Sequence, residues 1–203
     1  MPKGITRATD NSDVPFRLLG FAADPDKASN LCGGTFARYA EAGTEVTLVC
    51  AAAHEWSSVD RAAVARQLGL GNLVLLDYEL SELTAAGLEG VFADVTQSVR
   101  PHVVVAEDSH PAVREATISA FATVRRRAGG SAALPAKLFV RSSGGPGTVA
   151  VTTAIAVATA PDSELFVRVF PNPWVTGVLE RDLFAGLSPG PGTAATVAER
   201  LAS

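Results

Sequence analysis

The sequence predicts an open, mostly parallel α/β sheet with helices on both faces. Three observations carry that expectation. Short apolar, β-branched runs alternate with longer stretches of helical spacing, the β-α-β-α order that demands parallel strands and right-handed crossovers. The runs are apolar throughout, as strands covered on both faces are. Helix start and stop signals, Ser or Asp before and Gly after, punctuate the intervals between them.

Taken in order, Met1–Val14 is polar and irregular and is expected to form a flexible arm (residues 1–14), followed by one domain (15–203). Phe16–Ala23 is the first strand. It breaks at Asp24-Pro25-Asp26, where Pro25 biases Asp24 away from helical geometry, so that Asp24 ends the strand and Asp26 caps or opens a helix. That helix is expected over Asn30–Glu41 and closed by Gly43. Glu45–Ala52 is strand two; Ser57, Ser58 and Asp60 offer caps for a helix to Leu68, with Gly69 and Gly71 stopping it. Leu73–Leu76 is a short strand, Leu83–Val99 a helix with Leu88, Val91, Phe92 and Val95 at helical spacing, and Val103–Ala106 a buried strand. A helix from Pro111 to Arg127 and a strand at Lys137–Arg141 follow. Beyond the loop Ser142–Gly147, Val149–Ala158 and Leu165–Phe170 read as strands and Thr176–Leu187 as a last helix.

Composition narrows the function. The chain has 203 residues, 47% hydrophobic and 19% charged, enough for one sizeable core. A formal charge of -4 argues against a nucleic-acid surface. Arg125-Arg126-Arg127 ends a helix, where cations suit the macrodipole. No apolar stretch is long enough to span a membrane, and Met1–Asp13 is too polar for a signal peptide. Cys32 and Cys50 make no disulfide framework and are expected to be buried as small hydrophobes. A cytoplasmic protein follows from these readings. Ser142–Gly147 lacks the Lys-Ser/Thr of a phosphate loop, Gly33-Gly34 is not part of a dinucleotide fingerprint, and no G-x-S-x-G elbow is present.

The stretch FRLLGFAADPDKASNLCGGT, Phe16 to Thr35, resembles the start of the LmbE-like (PIG-L, GlcNAc-PI de-N-acetylase) zinc-dependent N-deacetylases. That family ends its first strand with A-H-P-D-D-E and then carries G-G-T; here the counterparts are Ala23-Asp24-Pro25-Asp26-Lys27-Ala28 and Gly33-Gly34-Thr35. Further along, Arg61–Gly69, Leu73–Tyr78, Thr96–Ala106 and His110-Pro111-Ala112-Val113 are similar to later family segments, in the same order. The resemblance implies a Rossmann-like fold and, in an intact site, metal-assisted amide hydrolysis. It also implies residue roles: Asp26 in the place of the general base, Asp24 where a zinc-binding His would stand, and His110 at a third zinc ligand. Lys27 replaces a zinc-binding Asp, and Ala28 replaces the Glu.

That substitution changes the chemistry. Catalytic zinc needs three protein ligands and an open position, whereas an ammonium has no lone pair to donate. Lys27 is therefore read as a substitute for the metal, its ammonium paired with Asp24 or Asp26; the competing reading turns it outward to solvent. His54 and Glu55, after strand two, lie where they can reach the same pocket, and Asp108 is placed to orient His110. Asp77 and Glu107 also follow strands at this edge, where the simpler role is to solvate loops. Three functions remain open. The first is a deacetylase-fold protein with a degenerate zinc site, needing no cofactor, that binds a small molecule or a protein partner. The second is a divergent zinc N-deacetylase acting on an N-acylated sugar or a related metabolite. The third is a subunit that assembles with itself or another enzyme, an accessory to small-metabolite biosynthesis.

Overall fold

The computed structural model describes residues 15–52, 58–129, 134–141 and 166–170, together with Leu183 and Leu187. The arm at 1–14, the Val149–Ala158 strand and most of the Thr176–Leu187 helix lie outside the described residues, as do His54 and Glu55.

Among the described residues, six strands and four α-helices follow in the order β1 (Arg17–Ala22), α1 (Pro25–Glu41), β2 (Glu45–Cys50), α2 (Ser58–Gln67), β3 (Asn72–Leu75), α3 (Ala85–Val99), β4 (Val103–Glu107), α4 (Pro111–Ala128), β5 (Lys137–Arg141) and β6 (Phe166–Phe170). The strands form one sheet in the order β3-β2-β1-β4-β5-β6. Five of them are parallel, and β6 closes the edge antiparallel to β5. The expected open, mostly parallel α/β sheet is the observed one.

Period-two alternation sorts the core into two layers. Leu18 and Ala22 of β1, Val46, Leu48 and Cys50 of β2 and Val103 and Val105 of β4 pack with Cys32, Phe36 and Tyr39 of α1 and Val64 of α2. Leu19 and Phe21, Val49 and Val104 face the other way, onto Leu88 and Phe92 of α3 and Val113, Ala116, Ala120 and Phe121 of α4. Each large apolar side chain so buried contributes roughly 1.5–3 kcal/mol of transfer free energy. Gly20, mid-β1, lets α1 lie close: a Cβ there would sit 2.5 Å from Phe36 Cζ.

Helix ends follow local chemistry. Thr84 caps α3 by accepting from the Gly87 N–H, and Gly129 closes α4 in the left-handed region. The start of α1 differs from the expectation over Asn30–Glu41. It begins at Pro25, whose fixed φ and missing N–H suit the first helical position, and its cap is Asp24, not Asp26. At the amino edge of the sheet, buried His102 accepts from the Arg17 N–H through Nδ1 and meets the Phe16 ring edge-on at 5.2 Å. Leu183, from the last third of the chain, is buried against the α1 side, and its N–H donates to Tyr39 Oη at 2.6 Å.

Candidate functional site

Strand order reverses between β1 and β4: the chain leaves β1 through α1 towards β2 on one side, and later returns to β4 on the other. In open α/β sheets that reversal leaves a crevice beyond the carboxyl ends of the two strands, flanked by helix N-termini. Here it is bordered by Asp24 and the first turn of α1, and by Glu107–His110 leading into α4.

Asp24 is half-buried and extended (φ -145°, ψ 165°), and its Oδ1 accepts from the Lys27 backbone N–H at 2.8 Å. Asp26 and Lys27 are exposed on the first turn. What burial Asp26 has, with the Asp24 charge second, raises its carboxyl above the ordinary value, and Lys27 opposes. Among the described residues the Lys27 ammonium forms no ion pair with Asp24 or Asp26. The expected pairing is thus not formed, because the helix N-terminus holds Asp24 and the long side chain keeps its charge in water. Lys27 still acts at a distance, lowering the carboxyl pKa of Asp26 and of Glu107.

Glu107, which the sequence places at this edge as a residue that solvates a loop, is instead buried. It ends β4, is 2% exposed, and neither carboxylate oxygen has a hydrogen-bond partner. The Ala23 N–H and the Ser109 hydroxyl are near enough to favour its charged form, yet neither completes a bond of acceptable geometry. Burial dominates and, helped by Asp24, lifts Glu107 to about 7. A signal is there: Val103, Val105 and Glu107 share one parity, and the register that pairs Phe21 with Ala106 and Ala22 with Cys50 sets Glu107, Ala22 and Cys50 in one row. Cys50 is fully buried in that row. Burial first, then Asp24 and Glu107, push its thiol well up, so it is no nucleophile.

His110 stands at the N-cap position of α4 without a capping hydrogen bond, and its Nδ1 is buried and unpartnered. Asp108 does not orient it. Its Oδ1 instead accepts from Arg114 at 2.7 Å, an ion pair between the loop before α4 and the helix's first turn. Asp77 is exposed and makes an isolated bridge with Ala52. The structure thus gathers Asp24, Asp26, Lys27 and Glu107 within electrostatic reach of one another, and sets His110 on the facing lip with no hydrogen bond to them.

No family model matches the chain. Over 83 residues, 37% of this chain, it is 46% identical to the 1D-myo-inositol 2-acetamido-2-deoxy-alpha-D-glucopyranoside deacetylase of Nakamurella multipartita. The resemblance to the LmbE-like deacetylases stands. The chain spans about a quarter of that relative's length, 26%. Among solved structures, a conserved protein of Thermus thermophilus is similar at 26% identity and a TM-score of 0.51, over 64% of this chain and 67% of that one. The N,N'-diacetylchitobiose deacetylase of Pyrococcus horikoshii overlaps more loosely, at 21% identity and a TM-score of 0.46, over 68% of this chain and 65% of its own.

The LmbE-like pattern implies zinc, and the donors at hand do not fit it. Among the described residues no three His, Cys, Asp or Glu side chains converge as a metal group. Asp24 is engaged at the helix start, Lys27 offers no lone pair at neutral pH, and Cys50 is held as a thiol. Across the described residues no helix is long and apolar enough to cross a membrane.

Proposed function

We propose that this chain is an LmbE-like N-deacetylase-fold protein whose zinc site is degenerate, and that it binds a small molecule in the crevice between β1 and β4 without hydrolysing it. The observation that carries the reading is Lys27. In the LmbE-like pattern its position belongs to a metal-binding carboxylate, and here it bears an ammonium on an exposed first turn. The ligand class follows from the relative, which acts on an N-acetylated amino sugar glycoside: an amino sugar or similar polar metabolite, met in the cytoplasm as an accessory step of a biosynthetic pathway.

The 46% identity over 83 residues supports a second reading, a divergent zinc-dependent N-deacetylase in which Asp26 takes the proton and Asp24 and His110 hold the metal with a third donor. Metal analysis separates the two. Purified full-length protein, dialysed after addition of zinc, is expected to retain well under one equivalent. One equivalent retained, and lost in His110→Ala, together with acetate release from an N-acetylated amino sugar, would establish the second reading and overturn the first.

A further inference from the structure

We propose that the crevice selects the free amine over its N-acyl form, with Glu107 as the residue that receives the ligand's ammonium. The proposal rests on the reading above, that the crevice binds an amino sugar or similar metabolite.

Its basis is a buried carboxylate whose nearby donors, the Ala23 N–H and the Ser109 hydroxyl, complete no bond with it. Buried polar atoms are almost always satisfied, and a carboxylate with two bare oxygens is among the costlier exceptions. Glu107 is almost wholly removed from solvent, and both of its oxygens lack a partner. It is not isolated from the site. The β1–β4 register sets it level with Ala22, two residues before Asp24, and Asp24 and Lys27 both act on it electrostatically. Exposure falls from Asp26 and Lys27 on the first turn, through half-buried Asp24, to buried Glu107.

The charge there is weighted to the acidic side. Three carboxylates, Asp24, Asp26 and Glu107, face the ammonium of Lys27, while buried Arg141 is the register partner of Glu107 on β5 and Asp108 is neutralised by Arg114. A primary ammonium brings three N–H donors and a positive charge, which suits two bare carboxylate oxygens and a neighbouring carboxylate. An N-acyl nitrogen brings one neutral donor and a carbonyl oxygen that two nearby carboxylates repel.

Titration calorimetry on the full chain at pH 7, in buffer stripped of metal, tests this with D-glucosamine and N-acetyl-D-glucosamine. These probes differ only in the acyl group. Glucosamine should bind about tenfold or more tightly than its acetylated form, the worth of a charge-assisted hydrogen bond. Glu107→Gln, close to isosteric, should remove that advantage while leaving the acetylated sugar unchanged. Lys27→Met, a surface change, should tighten glucosamine by removing a repelling cation. Equal or tighter binding of N-acetylglucosamine, or a Glu107→Gln protein that still prefers glucosamine, overturns the inference but leaves a metal-free binding crevice intact. If neither sugar binds, both fall; if zinc is retained, only the reading beneath it does.

Discussion

Replacing Glu107 by Gln should make the protein more stable at neutral pH, and the gain should vanish in acid. The sign follows from linkage. The carboxyl rises from an ordinary value of 4.5 to about 7 in the folded chain, so the native state binds its proton more tightly than the unfolded chain does. Native stability from this group is then complete below pH 4.5, declines as pH rises through the window from 4.5 to 7, and stays low above it. At about 1.4 kcal/mol for each tenfold change, the displacement from 4.5 to about 7 amounts to roughly 3 kcal/mol. Glutamine carries no charge at any of these pH values. The variant should therefore match the parent near pH 4 and exceed it by roughly 3 kcal/mol at pH 8, or about 6–12 °C in Tm for a domain of this size. Urea denaturation of both proteins from pH 4 to 8, followed by circular dichroism, measures the difference directly. A constant difference across the range would refute the argument, since it would mean that Glu107 ionises alike in both states.

Two further substitutions probe how the crevice is built. Asp24→Ala removes the acceptor for the Lys27 N–H and should cost about 1 kcal/mol in denaturant titrations, whereas Asp24→Asn, which still caps, should cost little. Gly20→Ala drives a methyl to within 2.5 Å of Phe36 Cζ and should destabilise by roughly 1–3 kcal/mol; a double-mutant cycle with Phe36→Leu should recover part of that as a coupling energy.

The sheet is readable because its strands carry their own signal: β-branched runs such as EVTLVC and VVVAE, each with a turn at either end. Their parallel pairing follows from helical stretches too long for hairpins. The beginning of α1 is harder to read because Ser29, Asn30, Gly33 and Gly34 are weak helix formers, whereas what starts the helix is a capping geometry at Asp24 and a proline at N1. The antiparallel sense of β6 is a matter of tertiary pairing, which FVRVF does not encode locally. Of the site, Asp24, Asp26 and Lys27 are visible as a motif. Asp108 misleads because its partner, Arg114, lies at the start of the next helix, where a local ion pair competes with His110. Glu107 is hidden because a glutamate after an apolar run looks like the first residue of a loop. Only register shows that it is the last residue of a covered strand.

Burial of a second titratable group at the other end of the sheet adds a constraint that neither group shows alone. His102 is lowered from 6.5 to about 4, by burial first and by Arg17 second, and its Nδ1 is occupied by the Arg17 N–H. Stability from His102 is therefore complete above pH 6.5 and is lost as pH falls towards 4. Between pH 4.5 and 6.5 the two groups work against each other: raising pH recovers stability at His102 and forfeits it at Glu107, each at up to about 1.4 kcal/mol per pH unit. Their contributions should nearly cancel in the parent protein across that window. Glu107→Gln uncovers the His102 slope, so its stability should climb with pH up to 6.5; His102→Gln uncovers the opposite slope, falling from pH 4.5 to 7. The His102 ring should also titrate near pH 4 by NMR in native protein. If both single variants keep the parent's slope between pH 4.5 and 6.5, the two buried groups do not set the pH response, and the buried carboxyl at the crevice floor is not the acid this fold makes it out to be.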